Sequence, residues 1–231
     1  MPILTRPEVL ARQPPGGTPI NRAHPYAKGL IHAWNLNGSA RDLVGDWHGS
    51  LVGSAAYATG KPGRGVSLPA GYSDRIDTAT LGATGTASFC QITHCYIDNP
   101  AQVQLIGCAS DGFGNEGYLL AWGADGNWYT IDHFSSYTYV AGSLNAGWNT
   151  IAVNFDYASN LFDVYVRGLP KVSAAAGAVS SSFYVRHLFG SSGGSFGLPN
   201  GVGVLNLLFD GAQPESKIKA LMDNPWQIFA A

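Results

Sequence analysis

The stretch from Trp148 to Gly168, W-N-T-I-A-V-N-F-D-Y-A-S-N-L-F-D-V-Y-V-R-G, leaves this chain few folds to choose from. Ile151, Val153 and Phe155 alternate with Thr150, Ala152 and Asn154; Phe162, Val164 and Val166 alternate with Asp163, Tyr165 and Arg167. Successive side chains of a strand point to opposite faces, so each run has one buried and one wetter face. Tyr157 to Asn160 is a short polar break between them, and an antiparallel hairpin follows. The same strand, turn, strand rhythm predicts strands over residues 30–36, 88–97, 102–109, 117–122, 128–133, 137–140, 183–189 and 202–209. Asp125-Gly126 supplies a tight-hairpin signal between the fourth and fifth of these. One short helix fits: Pro214 suits a first helical position, Ile218, Leu221 and Met222 make an apolar face, and Asn224-Pro225 stops it.

A chain of 231 residues can bury one sizeable core. Charged residues are 12% of the sequence, well under the roughly 25% of average domains. The net charge of −2 gives no electrostatic footprint for nucleic acid. Residues 1–28 stand apart, with six of the 13 prolines and four cations (Arg6, Arg12, Arg22, Lys28) against Glu8. That balance of +3 leaves −5 for the remainder. Proline-rich chain favours extended structure, so 1–28 reads as an arm, 29–223 as the folded domain and 224–231 as an apolar tail. Trp226, Ile228 and Phe229 are costly to leave in water and should pack on something. Cys90, Cys95 and Cys108 are odd in number, which argues against a disulfide framework. Cys90 and Cys95 should face opposite sides of one strand as small core residues. No apolar run is long enough to span a bilayer, and no secretion signal opens the chain.

Four segments resemble the concanavalin A-like superfamily, specifically its laminin-G-like jelly-roll modules. They are G-L-I-H-A-W-N-L-N-G at Gly29 to Gly38, D-L-V-G-D-W-H-G-S-L-V-G at Asp42 to Gly53, the hairpin itself, and V-L-N-L-L-F-D-G at Val204 to Gly211. The resemblance implies an all-β fold, a two-sheet antiparallel sandwich with one short C-terminal helix and an extended N-terminal arm. A narrower resemblance links His24-Pro25-Tyr26 and the closing N-P-W-Q-I-F at Asn224 to Phe229 to modules of bacteriophage structural proteins.

The superfamily includes glycoside hydrolases, which need two closely spaced carboxylates. Glu8, Glu116 and Glu215 fall in the arm, a loop and the helix, and no strand carries two Asp at i, i+2, so the chain reads as a non-enzyme. Nothing marks a Ser/His/Asp site among the scattered histidines. Calcium at Asp111, Glu116 and Asp125 competes with a plain solvated turn, which is the simpler reading; no cofactor is expected. Carbohydrate binding is the best ligand class. Trp128, Tyr129, His133, Tyr137 and Tyr139 crowd beside Asp125, and aromatic faces stack on sugar rings while Asp hydrogen-bonds hydroxyls. The competing reading is that these aromatics fill the sandwich.

The expectation is therefore a virion protein made in a host cytoplasm, a head decoration first and a tail or fibre attachment next. Arg6, Arg12, Arg22, Tyr26, Trp226, Ile228 and Phe229 would anchor it to other virion proteins or to its own copies, a trimer suiting capsid and fibre positions. A lectin-like module that binds host-surface glycans is the alternative, and a hydrolase comes last.

Overall fold

The computed structural model describes residues 13–59, 64–69, 74–78, 88–102, 104–109, 119–132, 136–175, 187–190 and 197–230. In chain order the strands are β1 (Leu30–Asn35), β2 (Gly49–Val52), β3 (Ala56–Thr59), β4 (Arg64–Leu68), β5 (Arg75–Thr78), β6 (Phe89–Ile97), β7 (Gln104–Ala109) and β8 (Leu119–Trp122). There follow β9 (Asn127–Asp132), β10 (Ser136–Ala141), β11 (Gly147–Asp156), β12 (Leu161–Val166), β13 (Val172–Ala175), β14 (His187–Leu188) and β15 (Gly201–Asp210). One helix, α1 (Glu215–Asp223), closes the set.

Among the described residues the strands form two antiparallel sheets. One runs β13-β12-β11-β6-β15-β4-β3, with β1 also paired to β15; the other runs β10-β9-β8-β7-β14-β5-β2. The 148–168 hairpin has the predicted register: Ile151 faces Val166, Val153 faces Val164 and Phe155 faces Phe162. These six side chains join the core between the sheets, with Trp34, Ile76, Trp122 and Trp128 from other strands. The fold is thus the expected two-sheet antiparallel sandwich.

A second apolar layer lies on the outer face of the first sheet. Ala33, Cys90, Ile92, Ala152, Leu205, Leu207 and Phe209 point there and are covered by Ile218, Leu221 and Met222 of α1, by the C-terminal tail, and by residues that precede β1. Cys90 belongs to this layer and Cys95 to the inter-sheet core, so the two cysteines do face opposite sides of β6.

This second layer shows where residues 13–28 dock, which is on their own sandwich. Ile20 pairs with Phe229 across an antiparallel bridge. Asn21 N donates to Ile228 O at 2.8 Å, and Ala230 N donates to Pro19 O at 2.8 Å. Pro14 O accepts from Asn35 Nδ2 at 2.9 Å. The physical reason is that a sheet with two apolar faces needs a cover on both, and the arm and tail are the segments that supply it. Trp226, Ile228 and Phe229 are buried in the same layer, and Tyr26 packs against it half-buried. Burying each such side chain contributes about 1.5–3 kcal/mol.

All five short strands β2 to β5 and β13 lie where the sequence suggested turns or nothing. Each spans four or five residues, too few for an alternation to show. Of the strand expected at 183–189, residues 187–189 are described, and 187–188 form β14.

Candidate functional site

The aromatic cluster nominated from the sequence divides. Trp128 is 1% exposed and packs edge-on against Trp122, ring centroids 5.1 Å apart. It is a core residue and cannot stack on a sugar; alternation sends it inward with Trp122, its cross-strand partner. Asp125 is exposed and spends both oxygens on Asn127, accepting from its N at 3.3 Å and its Nδ2 at 2.8 Å. Tyr129 pairs with Tyr139 and Ile131 with Tyr137, which puts all four positions on the face opposite Trp128. The side chains of Tyr129, Tyr137 and Tyr139, and all of His133, lie outside the described residues, as do Asp111 and Glu116. Among the described residues no group of three or more His, Cys, Asp or Glu could hold a metal. Arg6 and Arg12 also lie outside the described residues. Arg22 donates from Nη2 to Val44 O at 2.8 Å, so it ties the arm to its own sandwich.

Two carboxylate–histidine clusters are built into the scaffold. Asp42 is 2% exposed. Its Oδ2 accepts from His32 Nδ1 at 2.5 Å and Trp47 N at 3.2 Å; its Oδ1 accepts from Ala33 N at 3.1 Å and Val44 N at 3.0 Å. Burial alone would raise this carboxyl, but the bonds from His32, Ala33 and Val44 and the His32 charge outweigh it and hold it below 3.8. The His32 ring lies flat on Trp47 at 3.4 Å between centroids. A Cβ at Gly45 would fall 2.8 Å from Asp42 Oδ2, so the D-L-V-G turn needs its glycine. On the other sheet Asp77 Oδ1 accepts from Arg75 Nε at 2.6 Å and from His187 Nδ1 at 2.7 Å. Both clusters have their carboxylates saturated by neighbours, which suits fixing loops and strands more than proton transfer.

A concavity of about 500 Å³ opens on the outer face of the first sheet, where the second apolar layer ends. The hairpin shapes most of it. At its start, Trp148 lies parallel to His94 of β6, 5.3 Å between centroids, with the edge of Tyr96 also against it. His94 is fixed through Nδ1 on Thr150 Oγ1 at 2.9 Å. With its neighbours on both sides, Trp148 offers the site an indole edge rather than a face. Its Nε1 is buried and has no hydrogen-bond partner among the described residues.

The hairpin's end makes the second wall. Asp163, Tyr165 and Arg167 share the outward side of β12 and its exit, opposite Phe162, Val164 and Val166. Gly168, with φ of 82°, takes the left-handed conformation that lets the chain turn, and Leu169 N donates back to Val166 O at 2.9 Å. This turn brings Leu169, Pro170 and Lys171 over the opening. Lys171 Nζ donates to Asp163 Oδ2 at 3.2 Å. The third wall is the last part of α1, where Lys219, Met222 and Asp223 line the space. Arg167 Nε donates to Asp223 Oδ1 at 3.3 Å and so ties β12 to the helix. Burial, then the Asp163 charge, pushes the Tyr165 phenol well up, which keeps it a neutral hydroxyl.

From the sequence this hairpin defines the fold, and the concavity it lines is not among the candidate sites. The signal was present: Asp163, Tyr165 and Arg167 form a polar row on the face opposite the core, with Lys171 just beyond a Gly turn. What the sequence lacks is the helix partner, since Asp223 is 56 residues from Arg167.

No family model and no curated protein matches this chain. Solved structures do resemble it. Domain 4 of AbnA, an extracellular GH43 arabinanase of Geobacillus stearothermophilus solved with arabinotriose, superposes with a TM-score of 0.64 at 16% identity, covering 84% of this chain and 98% of that domain. Trypanosoma rangeli sialidase gives 0.62 at 13% identity, over 93% of this chain and 37% of the enzyme. The binding domain of Paraclostridial Mosquitocidal Protein 1 gives 0.59 at 14% identity, over 85% of this chain and 52% of that one. The chain thus spans about a third of the sialidase and about half of the mosquitocidal structure. At these identities the likeness establishes a shared fold.

Proposed function

We propose that this chain is a non-catalytic carbohydrate-binding module, lectin-like in architecture, and that the concavity between α1 and the hairpin takes the sugar. The observation that carries the reading is the composition of that concavity. Its volume falls in the range of small-molecule sites, roughly 300–1,000 Å³. Leu169, Pro170 and Met222 present apolar surface suited to the C–H face of a ring. Arg167 and Asp223 are fixed polar groups suited to its hydroxyl rim. The shared fold with an arabinanase domain solved with arabinotriose adds support to the sugar class.

The non-catalytic half of the proposal rests on the acids. Asp223 is the one carboxylate among the lining residues, and it is already engaged with Arg167. Glycoside hydrolysis by either of its usual routes uses two.

A bacteriophage virion setting is the finer reading, and it rests on the sequence resemblance of His24-Pro25-Tyr26 and Asn224 to Phe229. Residues 13–28 and 224–230 are engaged with their own sandwich.

A glycan array read with the wild type, Arg167→Ala, Asp223→Ala and Trp128→Ala tests the proposal. The expected result is a wild-type signal weakened about 10–100-fold in the first two variants, the loss of a charge-assisted hydrogen bond. Trp128→Ala should instead lower thermal stability. No signal from folded wild type, or a signal that survives both pocket variants, overturns the reading.

A further inference from the structure

We propose that the sugar held in this concavity carries a carboxylate. The inference rests on reading the concavity as a saccharide site and names the class of sugar that fits it.

Two observations point the same way. First, the lining holds three cations, Arg167, Lys171 and Lys219, against one carboxylate, Asp223. An ionised carboxylate is acceptor-only and offers such donors about four lone-pair sites. Second, Leu169, Pro170 and Met222 set apolar surface beside these cations, and charge pairs strengthen where water is displaced by such surface.

The carboxylates that now engage the two lysines lie outside the lining. Lys219 pairs with Glu215 across one turn of α1, with side chains 62% and 46% exposed. Lys171 reaches Asp163 at 3.2 Å, with side chains 37% and 16% exposed. The exposed Lys219 pair holds weakly, so that ammonium group can turn to a ligand at small cost, while Lys171, with three donors on Nζ, can meet a ligand and keep Asp163. The C-terminal end of α1 and Asp223 are both electronegative. They set the ligand's orientation: the carboxylate points away from the helix end, and hydroxyls meet Asp223.

The test is a titration followed by NMR chemical-shift changes, with glucuronate and galacturonate, their neutral parents glucose and galactose, and cyclohexanecarboxylate as a ring acid without hydroxyls. The expected result is that a uronate binds about tenfold or more tightly than its parent, as one charge-assisted contact provides. In the Lys171→Gln/Lys219→Gln double variant, whose substitutions are exposed and tolerable to the fold, that preference should shrink towards parity. Added salt should weaken uronate binding and leave the neutral sugar unaffected. Equal binding of uronate and parent overturns the carboxylate inference and leaves the saccharide reading standing. Binding of cyclohexanecarboxylate with no sugar overturns both, and so does the absence of any binding. A uronate preference that the double variant retains in full also overturns the assignment to these lysines.

Discussion

Replacing Asp42 with Ala should cost this protein a large part of its stability, although Asp42 lies far from the proposed sugar site. The carboxylate is the acceptor for four donors: His32 Nδ1 and the backbone N–H groups of Ala33, Val44 and Trp47. An alanine leaves all four in a region where the native side chain is fully covered. One unsatisfied buried donor costs about 1–3 kcal/mol. Four would exceed that several-fold if the loop stayed put, but the 42–47 turn can open to water. Breaking a buried charged pair in practice costs about 3–5 kcal/mol. For a domain of this size that lowers Tm by about 6–20 °C, a substantial share of a total stability of about 5–15 kcal/mol. Thermal and urea denaturation followed by circular dichroism would measure it. The effect should also depend on pH in a set direction. The carboxyl is held below 3.8 in the folded state, so its contribution is complete above that value and is lost as pH falls through the folded value. The gap between wild type and Asp42→Ala should therefore close in acid. A Tm within about 2 °C of wild type near neutrality would refute the argument, as would a gap that stays constant down to pH 2.

Lys217 should give a trend of the same direction in an alkaline window. Burial is the main cause of its lowering to about 8, with Cys90 opposing and Lys28 adding, while Nζ donates to Lys28 O at 2.6 Å and Gln213 Oε1 at 2.7 Å. Between about 8 and 10.5 the unfolded chain holds the proton that the folded one has shed, so wild-type stability should rise relative to Lys217→Met across that interval. A constant difference in urea midpoints over those pH values would contradict it. Burial raises both buried thiols, Cys95 to about 12 and Cys90 further, so native protein at pH 8 should resist iodoacetamide at these positions and label there only in denaturant. Peptide mapping by mass spectrometry reads this, and rapid labelling of either cysteine in the native state would count against the packing described.

Long strands with one wet face were readable from the sequence alone. β6, β11, β12 and β15 each carry enough alternating residues to declare both their strand character and their inner face. Trp128 shows where such reading fails. An aromatic row on a strand is split between two faces, and only the partner strand fixes which half is inside: Trp122 across the hairpin drew Trp128 into the core. The arm shows a related limit. Prolines announce extended chain, but whether extended chain is free or docked depends on an uncovered apolar surface elsewhere, here the outer sides of β1, β6 and β15. The proposed site combines both lessons. Its β12 row is local and legible, whereas Asp223 and Lys219 reach it only because α1 packs across the sheet.

The position of β1 bears on how the chain comes to fold during synthesis. Among the described residues β1 pairs with β15 and with no other strand, Asn35 against Leu205 and Ala33 against Leu207. Ile20 likewise waits for Phe229. β1 thus leaves a ribosome well before the strand that pairs with it. At about 5–20 residues per second, the interval is on the order of 10–30 s. Through it, β1 is an unpaired strand with an apolar side, the kind of surface that invites association between nascent chains. High separation between partners also slows the closing step itself. A chaperone that shields β1 would act on this protein at the one moment when its order of synthesis and its order of assembly conflict.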